Sequence, residues 1–232
     1  MDELLHQLSG LALPVLLAIT LHEAAHGWVA DRLGDRTARL LGRVTLNPLR
    51  HIDPLGTVLL PLGMYALTGF LFGWAKPVPV NPRNLARPRR DMAIVAAAGP
   101  LANLAMAVLW SLAIVIGGWL QPVSDWLTAP LVYMGAAGVL INVILLVLNM
   151  IPLPPLDGGR VLVGLLPVGL ARLMSRVEPY GLLILVMVLQ AVAIGLAIRY
   201  AGEGFRRDQI VLARTGAMMD EVARREPDVV RV

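Results

Sequence analysis

Cysteine is absent from the 232 residues, which excludes disulfides, thiolate metal sites and cysteine nucleophiles. Any metal must therefore be held by histidine and carboxylate. Charge is scarce as well: Asp, Glu, Lys and Arg make up 16% of the chain against 57% hydrophobic residues. Mean hydropathy is +0.69, a balance that belongs to an integral membrane protein rather than a soluble domain. There is no internal repeat and no low-complexity tract. The formal charge of +4 and isoelectric point near 10.1 come from arginines in short clusters beside apolar runs, the pattern of topology signals, so no nucleic-acid partner is expected. The start of the chain, Met1-Asp2-Glu3, is acidic rather than basic, and the first apolar run is expected to stay in the mature protein.

Long apolar runs are plentiful. Pro14 to Leu33 would span roughly 30 Å as a helix, enough to cross the hydrocarbon. The following loop carries Arg36, Arg39, Arg43 and Arg50 and is expected on the cytoplasmic side. Asp91 to Leu120, Pro130 to Met150 and Tyr180 to Ile198 are further candidate spans, whereas Arg160 to Arg172 is short. Leu55 to Trp74 is broken by Pro61, Gly63 and Gly69 and has basic flanks on both sides. A re-entrant hairpin fits that pattern better than a crossing. Residues 42–47 and 73–80 read as short strands, the second an edge strand because of its prolines. The expectation is an all-α polytopic membrane protein of about four to six membrane segments, with a re-entrant hairpin and short membrane-associated β-strands. Residues 1–200 would form the functional domain and 201–232 a polar, arginine-rich tail.

Ionisable side chains interrupt the first apolar run at Thr20-Leu21-His22-Glu23-Ala24-Ala25-His26-Gly27. In a helix His22 and His26 leave the same face and can grip one ion, with Glu23 beside them as a base for an attacking water. Interhelical hydrogen bonding is the other reading of the same residues. A third candidate ligand is Asp157, at the end of an apolar span in Ile151-Pro152-Leu153-Pro154-Pro155-Leu156-Asp157-Gly158-Gly159. A carboxylate at membrane depth is costly unless paired or bound to a cation. His22, His26 and Asp157 would surround a tetrahedral zinc, one per chain, and leave the fourth position open. Asp157 also suits the N-cap of the segment that follows, and both roles can hold together.

These motifs resemble the site-2 protease family of intramembrane zinc metalloproteases. The resemblance rests on His22-Glu23-Ala24-Ala25-His26 and on Asn149-x-x-Pro152-x-Pro154-x-Leu156-Asp157-Gly158. It extends to Gly99-Pro100-Leu101-Ala102-Asn103 and to Asn47-Pro48-Leu49-Arg50-His51-Ile52-Asp53-Pro54, covering roughly residues 10 to 170. It implies that His22, His26 and Asp157 ligate zinc, that Glu23 is the general base and that Asn149 assists at the developing oxyanion. No stretch is polar and long enough for a PDZ or CBS domain, so a compact member is expected.

The reaction implied is hydrolysis of a peptide bond within or near a transmembrane segment. The candidate substrate is a single-span membrane protein, an anti-sigma factor among the possibilities, and a second copy of the chain is a candidate partner beside the bilayer. Strand addition at 42–47 and 76–80 would grip an unwound substrate, with Val44, Val78 and Asn103 as substrate-binding candidates. The plasma membrane is the expected location, with the active site toward the cytoplasmic half. If Leu55–Trp74 crossed, His26 and Asp157 would end at different depths. The re-entrant hairpin is thus also what lets the site close. The alternatives are a membrane metal transporter, which would spread ionisable ligands along a path, and a non-catalytic membrane-protein-binding homologue.

Overall fold

The computed structural model describes residues 2–68, 75–192, 194–196 and 199–200. The tail 201–232 and residues 69–74 of the expected hairpin lie outside the described residues. The described helices are α1 (Asp2–Arg32), α2 (Thr37–Leu40), α3 (Leu60–Thr68), α4 (Pro88–Leu120), α5 (Asp125–Asn149), α6 (Asp157–Leu165) and α7 (Val168–Ser175), with further helix beyond Glu178. Among the described residues, four stretches are long and apolar enough to cross a membrane: Gly10–Arg32, Pro88–Leu120, Thr128–Asn149 and Glu178–Leu196. They match the expected spans, and the protein is a mostly helical, multi-pass membrane protein.

The burial pattern of α4 is that of a helix solvated by lipid. Its buried residues are small or polar, among them Ala93, Ala96, Gly99, Asn103 and Ala107. Large ones such as Leu101, Val108 and Leu112 face outward. With no hydrophobic force to drive helices together in lipid, close backbone approach at small residues does the work. A Cβ on Gly138 would run into the Trp110 ring and one on Gly135 into Ile114, so α4 and α5 pack at contact distance. Pro14 and Pro100 sit inside α1 and α4. Each would cost an isolated helix about 3 kcal/mol, but membrane bundles tolerate such positions because neighbouring groups re-satisfy the freed backbone.

The contacts fix the directions of the helices. Along α4 and α5, Asn103 meets Asn142, Ile114 meets Gly135 and Val132 meets Gly117, so these two run antiparallel. Asn103 meets Ala18, and Val95 meets His26, so α1 is antiparallel to α4 as well. Hence α1 and α5 run the same way, and α1 ends at the end of the bundle where α4 begins.

No strand occurs among the described residues, which include all of 42–47 and residues 75–80 of the two expected strands. Residues 42–47 are turn and bend, with Gly42 at φ 63°. Residues 75–81 belong to no helix or strand, because Pro77 and Pro79 remove the amides a ladder would need. Between Arg160 and Arg172 the chain forms α6 and α7, broken at Leu166-Pro167. Within residues 54–68 there is one turn of π-helix, Pro54–Leu59, and then α3. Asp53 starts it by accepting from the amides of Leu55 and Gly56.

Candidate metal centre

Three donor atoms from two distant parts of the chain meet near the ends of α1 and α5. His22 Nε2 and His26 Nε2 lie 3.1 Å apart, and Asp157 Oδ2 is 3.2 Å from the first and 3.3 Å from the second. The histidines come together because they are one turn apart on α1. Asp157 arrives because the break after α5 turns the chain straight into α6. Gly158 and Gly159 make that turn possible, since a Cβ on either would strike the backbone of Met150 or of Leu153 and Pro154. Leu156 is the N-cap residue of α6, and no side chain caps the helix. Asp157 therefore does not serve as the cap; its carboxylate faces the imidazoles from the first turn, where the helix dipole favours negative charge.

The hydrogen bonds decide which nitrogens carry protons. A backbone carbonyl only accepts, so Asn142 Nδ2 is the donor to Gly138 O at 2.8 Å. Asn142 Oδ1 then accepts from Asn103 Nδ2 at 2.8 Å, which leaves Asn103 Oδ1 to accept from His22 Nδ1 at 2.6 Å. His22 is protonated on Nδ1 by this chain of reasoning, and His26 likewise, because its Nδ1 faces the Val95 carbonyl at 2.7 Å. In neutral imidazoles both Nε2 atoms are thus bare lone pairs. They point at each other and at a carboxylate oxygen that has no donor.

Three acceptors, each on a residue 8 to 9% exposed, cannot hold one another without a cation. Bonds of about 2.0 Å from tetrahedral zinc would separate its ligands by about 3.3 Å, close to the spacings found. The donor set, its buried setting and its spacing all fit zinc. Among the described residues this is the group of His, Asp or Glu side chains placed to hold a metal.

Glu23, next along α1, has its Oε2 2.8 Å from the Val78 amide, which donates to it. Asn149, the last residue of α5, donates from Nδ2 to Leu145 O at 3.0 Å. Asn103 is wholly buried, and its Oδ1 lies 2.6 Å from His22 Nδ1. Val78 is buried, and its amide is taken by Glu23. Val44 lines a cleft of about 490 Å³ with Ala24, Ala25, Trp28, Ala102 and Ala105.

Sequence reasoning assigned no role to Asn142, and it read Gly99 only as part of a small-residue face for close helix approach and of the motif at 99–103. Asn142 carried a signal, an amide in an apolar span. Gly99 lies against both imidazoles, where a Cβ would overlap His22 and His26.

A family model, peptidase family M50, matches residues 10–126. It takes in His22, Glu23 and His26 but stops short of Asp157. The chain is 34% identical over 202 residues to YwhC of Bacillus subtilis, named as a zinc metalloprotease, covering 87% of this chain and 89% of that protein. It is 33% identical over 175 residues to Rip2 of Mycolicibacterium smegmatis and 30% over 176 to Rip2 of Mycobacterium tuberculosis, which bear the same description. In both cases it spans 64% of the relative's length. No solved structure matches.

Proposed function

Because the chain belongs to peptidase family M50, we propose that the cluster formed by α1 and α6 is a zinc centre. The protein is a zinc metalloendopeptidase of site-2 protease type that cuts peptide bonds within or near transmembrane segments of other membrane proteins. The observation that carries this reading is the convergence of His22 Nε2, His26 Nε2 and Asp157 Oδ2, 3.1 to 3.3 Å from one another, at the helix that carries Glu23.

When bound, zinc supplies Lewis acidity toward the scissile carbonyl and toward water. His22, His26 and Asp157 would hold it, and Asn103 and the Val95 carbonyl keep both Nε2 atoms available. The Glu23 carboxylate takes the proton of the attacking water and returns it to the leaving nitrogen. With Oε2 held by Val78, the second oxygen is the one to receive that proton. Asn149, at the end of α5, serves the developing oxyanion. The cleft beside Val44 is mainly apolar, with four alanines among its lining residues, which suits a substrate segment coming from the bilayer.

The connection 33–87 leaves and re-enters the bundle at the same end, which supports a re-entrant path for residues 55–74 rather than a crossing. Arginines 36, 39, 43 and 50 and the basic residues 76–90 then share one side, the cytoplasmic one. The zinc centre lies toward that side of the cell membrane.

The test uses purified chain with a single-span model substrate. One zinc per chain and cleavage by the native chain are expected; Glu23→Gln should keep the metal and lose cleavage, since an amide cannot take the proton. Full zinc content in a His22→Ala, His26→Ala variant, or undiminished cleavage by Glu23→Gln, would overturn the reading.

A further inference from the structure

We infer that Arg43 is a positioning residue for Glu23, acting through the strap formed by residues 76–78; this rests on Glu23 being the base proposed above. In Pro77-Val78-Pro79 the flanking prolines have no N–H, so these three residues carry one amide hydrogen between them. That hydrogen is donated to Glu23 Oε2.

The strap belongs to no helix or strand, so something else must aim it. Lys76 N donates to His51 O at 2.9 Å. Farther along, Asn81 N and Asn84 Nδ2 donate to the buried carboxylate of Asp35 at 2.6 and 2.7 Å. These bonds anchor the chain on either side of Val78 but do not orient its peptide.

Arg43 does. Its Nη2 donates to Lys76 O at 2.7 Å and to Pro77 O at 3.3 Å. The Pro77 carbonyl and the Val78 amide belong to one planar trans peptide unit, whose C=O and N–H point in opposite directions. With Arg43 on one edge of that plane and Glu23 on the other, fixing the carbonyl fixes the amide that holds the carboxylate.

Arg43 is 8% exposed and carries a permanent charge, so its guanidinium is committed to the interior of this loop. Its side chain reaches the strap from the turn after α2, while Val78 and Val44 pack against Gly27, one turn beyond Glu23 on α1. A Cβ at Gly27 would come within 3.0 Å of Val44 and 3.1 Å of Val78, so the strap sits directly on α1.

The arrangement also gives the strap a task other than gripping substrate. Its donors at Lys76 and Val78 and its carbonyls at Lys76 and Pro77 are already engaged.

The experiment uses the full chain in lipid nanodiscs and has two readouts. The first is hydrogen exchange of the Val78 amide, which needs no substrate. Exchange should quicken at least about tenfold in Arg43→Gln and in Glu23→Ala, the scale of one lost hydrogen bond to a charged group. The amides of Val95 and Asn103 in α4 should keep native exchange and so report an intact fold. The second readout is cleavage of a single-span model substrate: Arg43→Gln should lower kcat at least about tenfold with KM and zinc content unchanged. Arg43→Lys should restore part of kcat, because an ammonium can donate to the carbonyls without the planar fork.

Val78→Pro deletes the amide hydrogen directly and should reproduce the kcat loss, which keeps the test open if Arg43→Gln does not fold. Unchanged Val78 exchange in Arg43→Gln, or a raised KM with kcat intact, would overturn the inference. Normal exchange effects in a chain that cleaves nothing would instead bring down the catalytic reading and leave the strap's geometry standing.

Discussion

His22 Nδ1 lies 2.6 Å from Asn103 Oδ1, and this contact between α1 and α4 determines which imidazole nitrogen is offered to a metal. Asn103 can accept there only because its amide nitrogen is engaged by Asn142 and by the Ala18 carbonyl. A relay of amides, beginning at Gly138 on α5, thus sets the proton position on α1.

Replacing Asn103 by Leu should weaken zinc binding by about 10 to 100-fold, the usual cost of losing a partner behind a ligand. Asn103→Asp keeps an acceptor for His22 and should lose less. Competition against a chelator of known affinity measures both, and equal affinities for the Leu and native forms would refute the relay.

Gly99→Ala should disturb the centre without removing any donor. The added methyl would overlap both imidazoles, so one ring must leave its rotamer or α4 must move away from α1. Zinc content should fall while the helical circular dichroism stays native, and unchanged zinc content would mean the helices can separate without cost.

Asp35 gives the protein an acid-sensitive joint outside the spans. Burial alone would raise its pKa, but hydrogen bonds from the Thr37 hydroxyl, the Asn84 amide and the backbone amides of Asn81 and Thr37 outweigh it and hold the carboxyl below its ordinary value. A depressed folded value means that Asp35 contributes stability fully above its unfolded pKa of about 3.9, and that this is lost as pH falls through the lowered folded value. Thermal melts between about pH 6 and pH 3 should therefore show a steeper acid loss for the native chain than for Asp35→Asn. The variant should be the less stable of the two at neutral pH.

Single cysteines at Thr45 and Arg83 can be placed cleanly, because the native chain has none. Both should resist an impermeant thiol reagent in intact cells and react once the membrane is opened. Labelling of one but not the other in intact cells would mean that residues 55–74 cross.

Much of the site was legible in the sequence because it obeys local rules. His22, Glu23 and His26 owe their common location to the 3.6-residue helical period, and apolar length alone marked the four spans. Asp157 was paired with them through the cost of a carboxylate at membrane depth and through the second motif, and the pairing also required that the spans carrying the two motifs run the same way. The packing of α4 against α1 and α5 gives them that common direction.

What tertiary structure alone decided are the relations between groups far apart in the chain. The tautomers of His22 and His26 depend on Asn103 and Val95, 81 and 69 residues away. The hold on Glu23 comes from an amide 55 residues on, in a stretch whose alternating pattern read as a strand. Periodicity reports which faces of an element are apolar; it says nothing of which partner will meet its hydrogen-bonding groups. At 76–78 the prolines and Arg43 left no ladder to form, and the one amide of Pro77-Val78-Pro79 donates to the carboxylate of Glu23 instead.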